Sequence, residues 1–184
     1  MGTTVPALLG ARMIDKNSLR ASNPPVAIQL RAEESGDEPL LFELYASTRE
    51  EELALTGWDD AMRQTFLNMQ FRAMRQGYRS MFPQGQFSII LADGSPVGRV
   101  VVDRSAQELH IADIVVLKAH RSRGIGGRVM KDVIAEAAAT GKPVRLQVLK
   151  QSRAISFYQR LGFSTICGNE VYDQMEWRPP EVAR

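Results

Sequence analysis

The stretch Arg121-Ser122-Arg123-Gly124-Ile125-Gly126-Gly127 decides the fold of this chain, because it joins an apolar segment to an amphipathic one. The apolar segment, 107–117, ends in a run of branched residues that is typical of a strand covered on both faces. Apolar residues then recur at helical spacing up to Gly141. A helix N-terminus exposes unpaired N–H groups and the positive end of the helix dipole. The stretch therefore predicts an anion site at a strand-to-helix junction.

Two common phosphate-binding motifs fit this loop poorly. A P-loop requires Lys followed by Ser or Thr after its last glycine, whereas Arg128 follows Gly127 here. A dinucleotide-binding fingerprint requires a third glycine where Val129 stands, and it follows a strand-helix-strand start rather than a hairpin. A tight surface turn without a ligand is a further interpretation.

Working outward from the loop, the hydrophobic pattern predicts the order β-α-α-β-β-β-α-β-α-β-β. The hairpin turn lies at Ala92-Asp93-Gly94-Ser95, where Asp-Gly suits positive φ angles. The strand 107–117 is expected at the centre of the sheet. The predicted strands span 26–31, 87–91, 97–102, 107–117, 144–149, 163–167 and 171–177, and the helices span 38–46, 59–77, 128–141 and 152–161.

This pattern indicates an α/β (α+β) fold with one mixed, twisted central β-sheet flanked by helices. The length of 184 residues suits a single domain, which we place at residues 26–178. Residues 1–25 show no period and end in Asn23-Pro24-Pro25, so they are predicted to be an N-terminal extension. Residues 179–184 are predicted to be a C-terminal tail.

The composition excludes several classes of protein. With 44% hydrophobic and 24% charged residues the chain resembles globular proteins, and its net charge of +2 does not indicate a nucleic-acid partner. Arg121, Arg123 and Arg128 could contact phosphates of RNA or DNA, but no aromatic residues are interleaved with them. Cys167 is alone, so neither an internal disulfide nor a bound metal is expected. No apolar run approaches membrane length, and a cytoplasmic location is expected.

Two motifs carry a resemblance to a known family. The residues from Arg121 to Gly126 match the pattern R/Q-x-x-G-x-G/A, and about 35 residues later Phe157-Tyr158 precedes Leu161-Gly162-Phe163. Together they resemble the signatures of the GNAT (Gcn5-related N-acetyltransferase) superfamily, over roughly residues 26–177. The resemblance implies acetyl-CoA as cofactor and a sheet that splays into a V near Val116.

The resemblance also implies which residues bind the cofactor. The backbone of the central strand at Ile114, Val115 and Val116 would pair with the pantetheine arm. Gln151 or Ser152 would replace an Asn that often precedes the second helix of the family. The loop would hold the pyrophosphate through its N–H groups and arginines, that is, through Arg121, Ser122, Arg123, Gly124, Ile125, Gly126 and Gly127.

For catalysis, the resemblance places Tyr158 where the family has a general acid, although a half-buried packing role is an alternative. The backbone N–H of Val115 or Val116 would polarise the thioester carbonyl. His110 stands at the position of the catalytic glutamate in some family members, and imidazole titrates in a useful range. Asp113 is expected on the opposite face of the same strand. A water chain, or no dedicated base, remains open.

The function implied is transfer of an acetyl group to a primary amine of a small-molecule or protein acceptor, by direct attack in a ternary complex. The alternative is a catalytically weak acyl-CoA-binding regulatory module. Residues 48–58 contain Glu50, Glu51, Glu52 and Trp58, which could line a loop suited to a cationic amine or simply be solvated. A homodimer is possible, with the strand 172–177 as a candidate contact.

Overall fold

The computed structural model describes residues 26–180, so the predicted extension and the last four residues of the predicted tail lie outside the described part of the chain. The predicted order of elements is confirmed. The elements are β1 (Ile28–Ala32), α1 (Glu38–Ala54), α2 (Asp60–Met81), β2 (Gln86–Ala92), β3 (Ser95–Arg104), β4 (Leu109–Val116), α3 (Ile125–Thr140), β5 (Val144–Leu149), α4 (Ala154–Arg160), β6 (Ser164–Gly168) and β7 (Tyr172–Trp177).

The described strands form a mixed sheet in the order β1-β2-β3-β4-β5-β7-β6. Strand β4 is fourth of the seven, which confirms its predicted central position. Only the β4–β5 pair is parallel, because α3 carries the chain back across the sheet between these two strands. At the β2–β3 hairpin, Asp93 and Gly94 have φ angles of 50° and 80°, as the Asp-Gly turn predicts.

Helices cover both faces of the sheet, as two neighbouring residues of β2 show. Ile89 packs with α1 and α2, whereas Ile90 packs with α3 and α4, and both side chains are fully buried. Successive strand residues point to opposite faces, so one strand supplies both cores. We call these the α2 face and the α3 face of the sheet.

The first helix is longer than predicted, since α1 continues to Ala54 where a loop was expected over 48–58. The buried face of the helix continues beyond Tyr45 to Leu53. Arg49 lies on the same face between these two residues, with its guanidinium over the Tyr45 ring. The hydroxyl of Thr48 bonds back to the Tyr45 carbonyl at 2.7 Å, which accommodates this residue within the helix.

The acidic run of α1 therefore does not form an acceptor loop. Glu50 pairs with Lys118 and Glu52 with Arg49, each at 2.9 Å, and all three glutamates of the run are exposed. These carboxylates belong to the helix surface, which is the solvated alternative for this run.

The end of α2 was also misplaced, because Gly77 lies inside the helix rather than at its end. The helix begins with the Asp59 carboxylate, which accepts from the Met62 N–H at 2.8 Å. It stops at Met81, since Pro83 disfavours helical backbone at Phe82.

Strand β7 does not offer a free edge for a dimer, because it lies between β5 and β6. The exposed edge on this side of the sheet is β6, all of whose residues are exposed. Within residues 26–180 no helix is long and apolar enough to cross a membrane.

Candidate active site

The sheet divides along its middle, between β4 and β5. These strands pair only from Leu109 to Ile111, opposite Val144 to Leu146. A β-bulge at Ala112 follows directly. Strand β5 is paired with β7 along its whole length, on the edge away from β4. The predicted V-shaped splay is confirmed, although it opens at Ile111 rather than near Val116.

The separation leaves backbone groups of β4 unpaired on the side of the gap. The Leu117 N–H donates to the Val97 carbonyl of β3 at 2.8 Å. Backbone direction alternates along an antiparallel pair, so Val115 also bonds β3, whereas Ile114 and Val116 face the gap. Val115 lines the site, but Val116 is the one of the two whose N–H is directed into the gap.

The glycine loop presents a row of free donors beside this gap. Gly124 adopts a left-handed conformation (φ 78°) and Ser122 has φ 60°, which turns the chain sharply into α3. Among the described residues, no hydrogen-bond partner accepts from any of the six backbone N–H groups of 122–127. Orphan donors at the positive end of a 16-residue helix form an anion cradle.

The loop, the free edge of β4 and α4 enclose one cavity of about 560 Å³ on the α3 face, which we call the loop cavity. It brings together most residues that the sequence predicts for the site. Those lining it are Ile114, Val115, Val116, Arg121, Ser122, Gly124, Ile125, Gly126, Gly127 and Tyr158.

Three predicted residues lie elsewhere or act differently. Arg123 and Gln151 are exposed and do not line the loop cavity. Arg121 lines it, but its side chain turns back: Nε donates to the Val116 carbonyl at 2.9 Å and Nη2 to the Ser47 hydroxyl at 3.2 Å. In this arrangement Arg121 ties the loop to β4 and α1.

Sequence reasoning missed four lining residues, namely His120, Ala154, Phe157 and Arg160. Of these, Ala154 lies four residues before Tyr158, so helical periodicity from Tyr158 could have found it. Phe157 and Arg160 are not at helical spacing from Tyr158, and no sequence signal pointed to them. Phe157 is the side chain facing the glycines, since Cβ atoms added at Gly126 and Gly127 would each lie 3.9 Å from its ring. Arg160 adds a cationic group to the lining.

Tyr158 lies in the wall of the loop cavity and is only 8% exposed. Its ring packs edge-on against Phe157 and Phe163. Burial, with a smaller contribution from the Asp113 carboxylate, raises the pKa of Tyr158 to about 12. The phenol is therefore a protonated group at neutral pH, available as a donor.

His110 lies on the α2 face, where its ring stacks on Phe82 at 5.5 Å between ring centroids. The expectation that Asp113 points to the opposite face was wrong. The bulge at Ala112 adds a residue, so His110 and Asp113 oppose Asp103 and Val101 of β3 and share a face.

Asp113 is held by Arg99, whose Nε donates to Oδ2 at 3.0 Å. The Arg99 guanidinium is nearly buried and lies 5.5 Å from the centre of the Tyr78 ring. This places an ion pair and a tyrosine of α2 beside the gap, on the side away from the loop cavity.

Residues 45–176 match the acetyltransferase (GNAT) domain as a family, which is most of the chain. The chain belongs to the GNAT acetyltransferase family. Solved GNAT structures share its fold: the PaiA N-acetyltransferase of Thermoplasma acidophilum in complex with coenzyme A has a TM-score of 0.62 at 18% identity, covering 83% of this chain and 99% of that one. For Ard1 of Thermoplasma volcanium the TM-score is 0.58 at 22% identity, covering 85% and 100%.

A curated relative, the uncharacterized N-acetyltransferase YjcF of Bacillus subtilis (strain 168), is 38% identical over 60 residues, or 33% of this chain. The chain matches 42% of the length of that relative. GNAT enzymes use acetyl-CoA, so the domain is that of an acetyl-CoA-dependent N-acetyltransferase.

Proposed function

We propose that this GNAT protein transfers the acetyl group of acetyl-CoA to a primary amine, by direct attack in a ternary complex. The observation that carries the proposal is that the loop cavity joins the N–H donors of Ser122 and of residues 124–127, which have no acceptor among the described residues, to the unpaired edge of β4 and the Tyr158 phenol. A loop that only binds an anion would not require the phenol. A tyrosine that only donates a proton would not require the row of backbone N–H donors.

The lining of the loop cavity fits coenzyme A. The orphan donors of residues 122–127 match the oxygens of a pyrophosphate, and Gly126 and Gly127 leave the space beneath Phe157 open. Ile114, whose backbone groups face the gap, offers its N–H and its carbonyl to the amides of a pantetheine arm. When bound, acetyl-CoA supplies an acetyl group activated as a thioester.

The chain's own residues then stabilise the developing negative charge and donate or accept protons. The Val116 N–H, directed into the gap, is placed to donate to an oxygen that becomes negative. Tyr158 holds at its Oη the proton that a leaving thiolate needs. The amine nitrogen gains the acyl carbon as the carbon–sulfur bond breaks, and it loses a proton to a base.

We assign the base to His110, at the mouth of the gap on the α2 face. Burial is the main cause that lowers its pKa below the ordinary 6.5, and Arg145 acts in the same direction, while Glu108 and Asp103 oppose them. His110 is therefore neutral at pH 7 and can accept a proton. As pH falls through this lowered pKa, the imidazole becomes charged and the acceptor capacity is lost.

His110→Gln is expected to lower kcat about 100-fold while leaving the affinity for acetyl-CoA unchanged. The pH profile of kcat separates this role from a structural one. The wild-type protein should lose activity on the acid side below pH 6.5, and the variant should lack that limb. An identical acid limb in the variant would contradict the assignment of His110.

Calorimetric titration with acetyl-CoA, CoA and ATP tests the cofactor part of the proposal. We expect both CoA species to bind and ATP, which lacks the pantetheine arm, to bind more weakly. Acetyl transfer to a set of primary amines, followed by release of free thiol, then tests the reaction. Equal affinity for all three nucleotides would show that the gap between β4 and β5 does not contribute to binding of the pantetheine arm.

A further inference from the structure

A second cavity, of about 310 Å³, lies on the α2 face where β4 and β5 separate, and we call it the α2 cavity. Ala112, at the bulge, and Gln147, on the facing strand β5, form its floor. Ala112 is two residues from Ile114 of the loop cavity, or roughly 7 Å along a strand. The gap in the sheet thus has one cavity on each face.

The lining of the α2 cavity is mostly apolar. Met74, Tyr78 and Met81 of α2, with Phe82 directly after the helix, supply thioether and aromatic surface. Met81 is 72% exposed, so the cavity opens to solvent past its side chain. Small-molecule sites are commonly of this size and combine an apolar wall with a few polar groups.

The polar groups of the cavity come from β4 and β5, at the end beside the gap, which we call its inner end; Gln147 is exposed there and His110 is half-buried. These polar groups are the His110 imidazole, the Gln147 amide and the Ala112 carbonyl, toward which the Tyr78 hydroxyl points at 3.5 Å. A ligand with one polar end and an apolar body would place its polar end here and its body against α2.

No carboxylate of the described residues lines this cavity. Of the carboxylates near His110, Asp113 is paired with Arg99, and Glu108 with Arg145, whose Nη1 donates at 2.6 Å. Asp103 of β3, which stands opposite His110, lies outside the cavity. The cavity wall therefore carries no negative charge, which favours a ligand with an apolar body over a polycation.

Gly77 leaves one side of the cavity without a side chain. It lies inside α2, where a glycine costs about 0.5–1 kcal/mol relative to alanine. Gly77 lines the cavity and is exposed, and a Cβ added there would meet nothing within 4 Å. A large side chain at this position therefore has room to enter the cavity, which makes position 77 suitable for a test.

We propose that the α2 cavity is the acceptor site and that the acceptor is a small primary amine with an aromatic or alkyl body. This inference rests on the proposed acetyl transfer. The amine nitrogen lies at the inner end, near His110 and the gap, and the apolar body packs against Tyr78 and Met74. The volume corresponds to roughly ten water molecules, which excludes a folded protein segment from the cavity itself.

The test compares three amines and two variants. The amines are 2-phenylethylamine, spermidine and a lysine-containing peptide. Gly77→Phe places a ring in the cavity, and Gln76→Phe places the same ring at an exposed position of α2 that does not line the cavity. Both positions are exposed, so thermal unfolding should show that both variants fold.

We expect 2-phenylethylamine to bind the CoA-loaded wild-type protein in a calorimeter and to be acetylated with the lowest KM of the three amines. Gly77→Phe should raise that KM at least about tenfold, because the apolar pocket is filled. Gln76→Phe should not raise it, and neither variant should change the affinity for acetyl-CoA.

The outcomes separate this inference from the proposed function. Acetylation of spermidine or the peptide with no effect of Gly77→Phe would overturn the inference and leave acetyl transfer intact. Binding of 2-phenylethylamine that Gly77→Phe weakens, but without turnover of any amine, would support the cavity and contradict the proposed reaction. If 2-phenylethylamine does not bind the CoA-loaded protein, the inference is wrong.

Discussion

Gly126→Glu is expected to weaken acetyl-CoA binding at least about 100-fold, since placing like charges against one another in a binding site costs several kcal/mol. The new carboxylate would stand in the second position of α3, among the orphan N–H donors. It would occupy the space beneath Phe157 and satisfy the donors that the pyrophosphate needs. Calorimetric titration with acetyl-CoA measures the loss directly.

The substitution should not damage the fold. A Cβ at this position makes only an ordinary contact with Phe157, and an acidic side chain is favourable in the first turn of a helix. Ala135→Glu is the matched control, because it makes the same change in charge at an exposed position of α3. If a folded Gly126→Glu variant binds acetyl-CoA as tightly as the wild-type protein, the loop does not form part of the cofactor site.

Tyr158→Phe is expected to lower kcat about 100-fold, as for loss of a general acid. The affinity for acetyl-CoA should change little, because the ring and its contacts with Phe157 and Phe163 remain. Steady-state kinetics with an accepted amine, together with a CoA titration, separates the two quantities. A catalytically weak acyl-CoA-binding module would show binding alone and no turnover to lose.

Tyr45→Phe is the control for this result. Tyr45 is buried to the same extent as Tyr158, at 8% exposed, but it lies on α1 in the core of the α2 face. Both variants lose one phenol oxygen from a largely buried ring. A fall in kcat of the same size in both would mean that the effect comes from packing rather than from proton donation.

The order of the elements and the loop cavity could be predicted because their determinants are local. Glycines at a helix start and the Asp93-Gly94 turn specify backbone conformation within a few residues. Tyr158 and the loop then meet because β4 and β5 are neighbours.

The features of the site that the sequence did not predict depend on contacts between distant parts of the chain. The bulge at Ala112 follows from the register between β3 and β4, so no pattern within β4 reveals that His110 and Asp113 share a face. Likewise, the guanidinium of Arg121 turns toward Val116 and Ser47 only once β4 and α1 are assembled.

The division of the sheet gives this protein strand edges in its interior as well as at β1 and β6. An edge strand with free backbone groups normally invites pairing with another chain, which favours aggregation. Here the inner edge of β4 spans residues 112–116, lies beside α4 and the loop before α3, and has its Val116 carbonyl already engaged by Arg121. These surroundings hinder the addition of a further polypeptide strand, so the fold can leave backbone groups open to a slender ligand while protecting them from pairing with another chain.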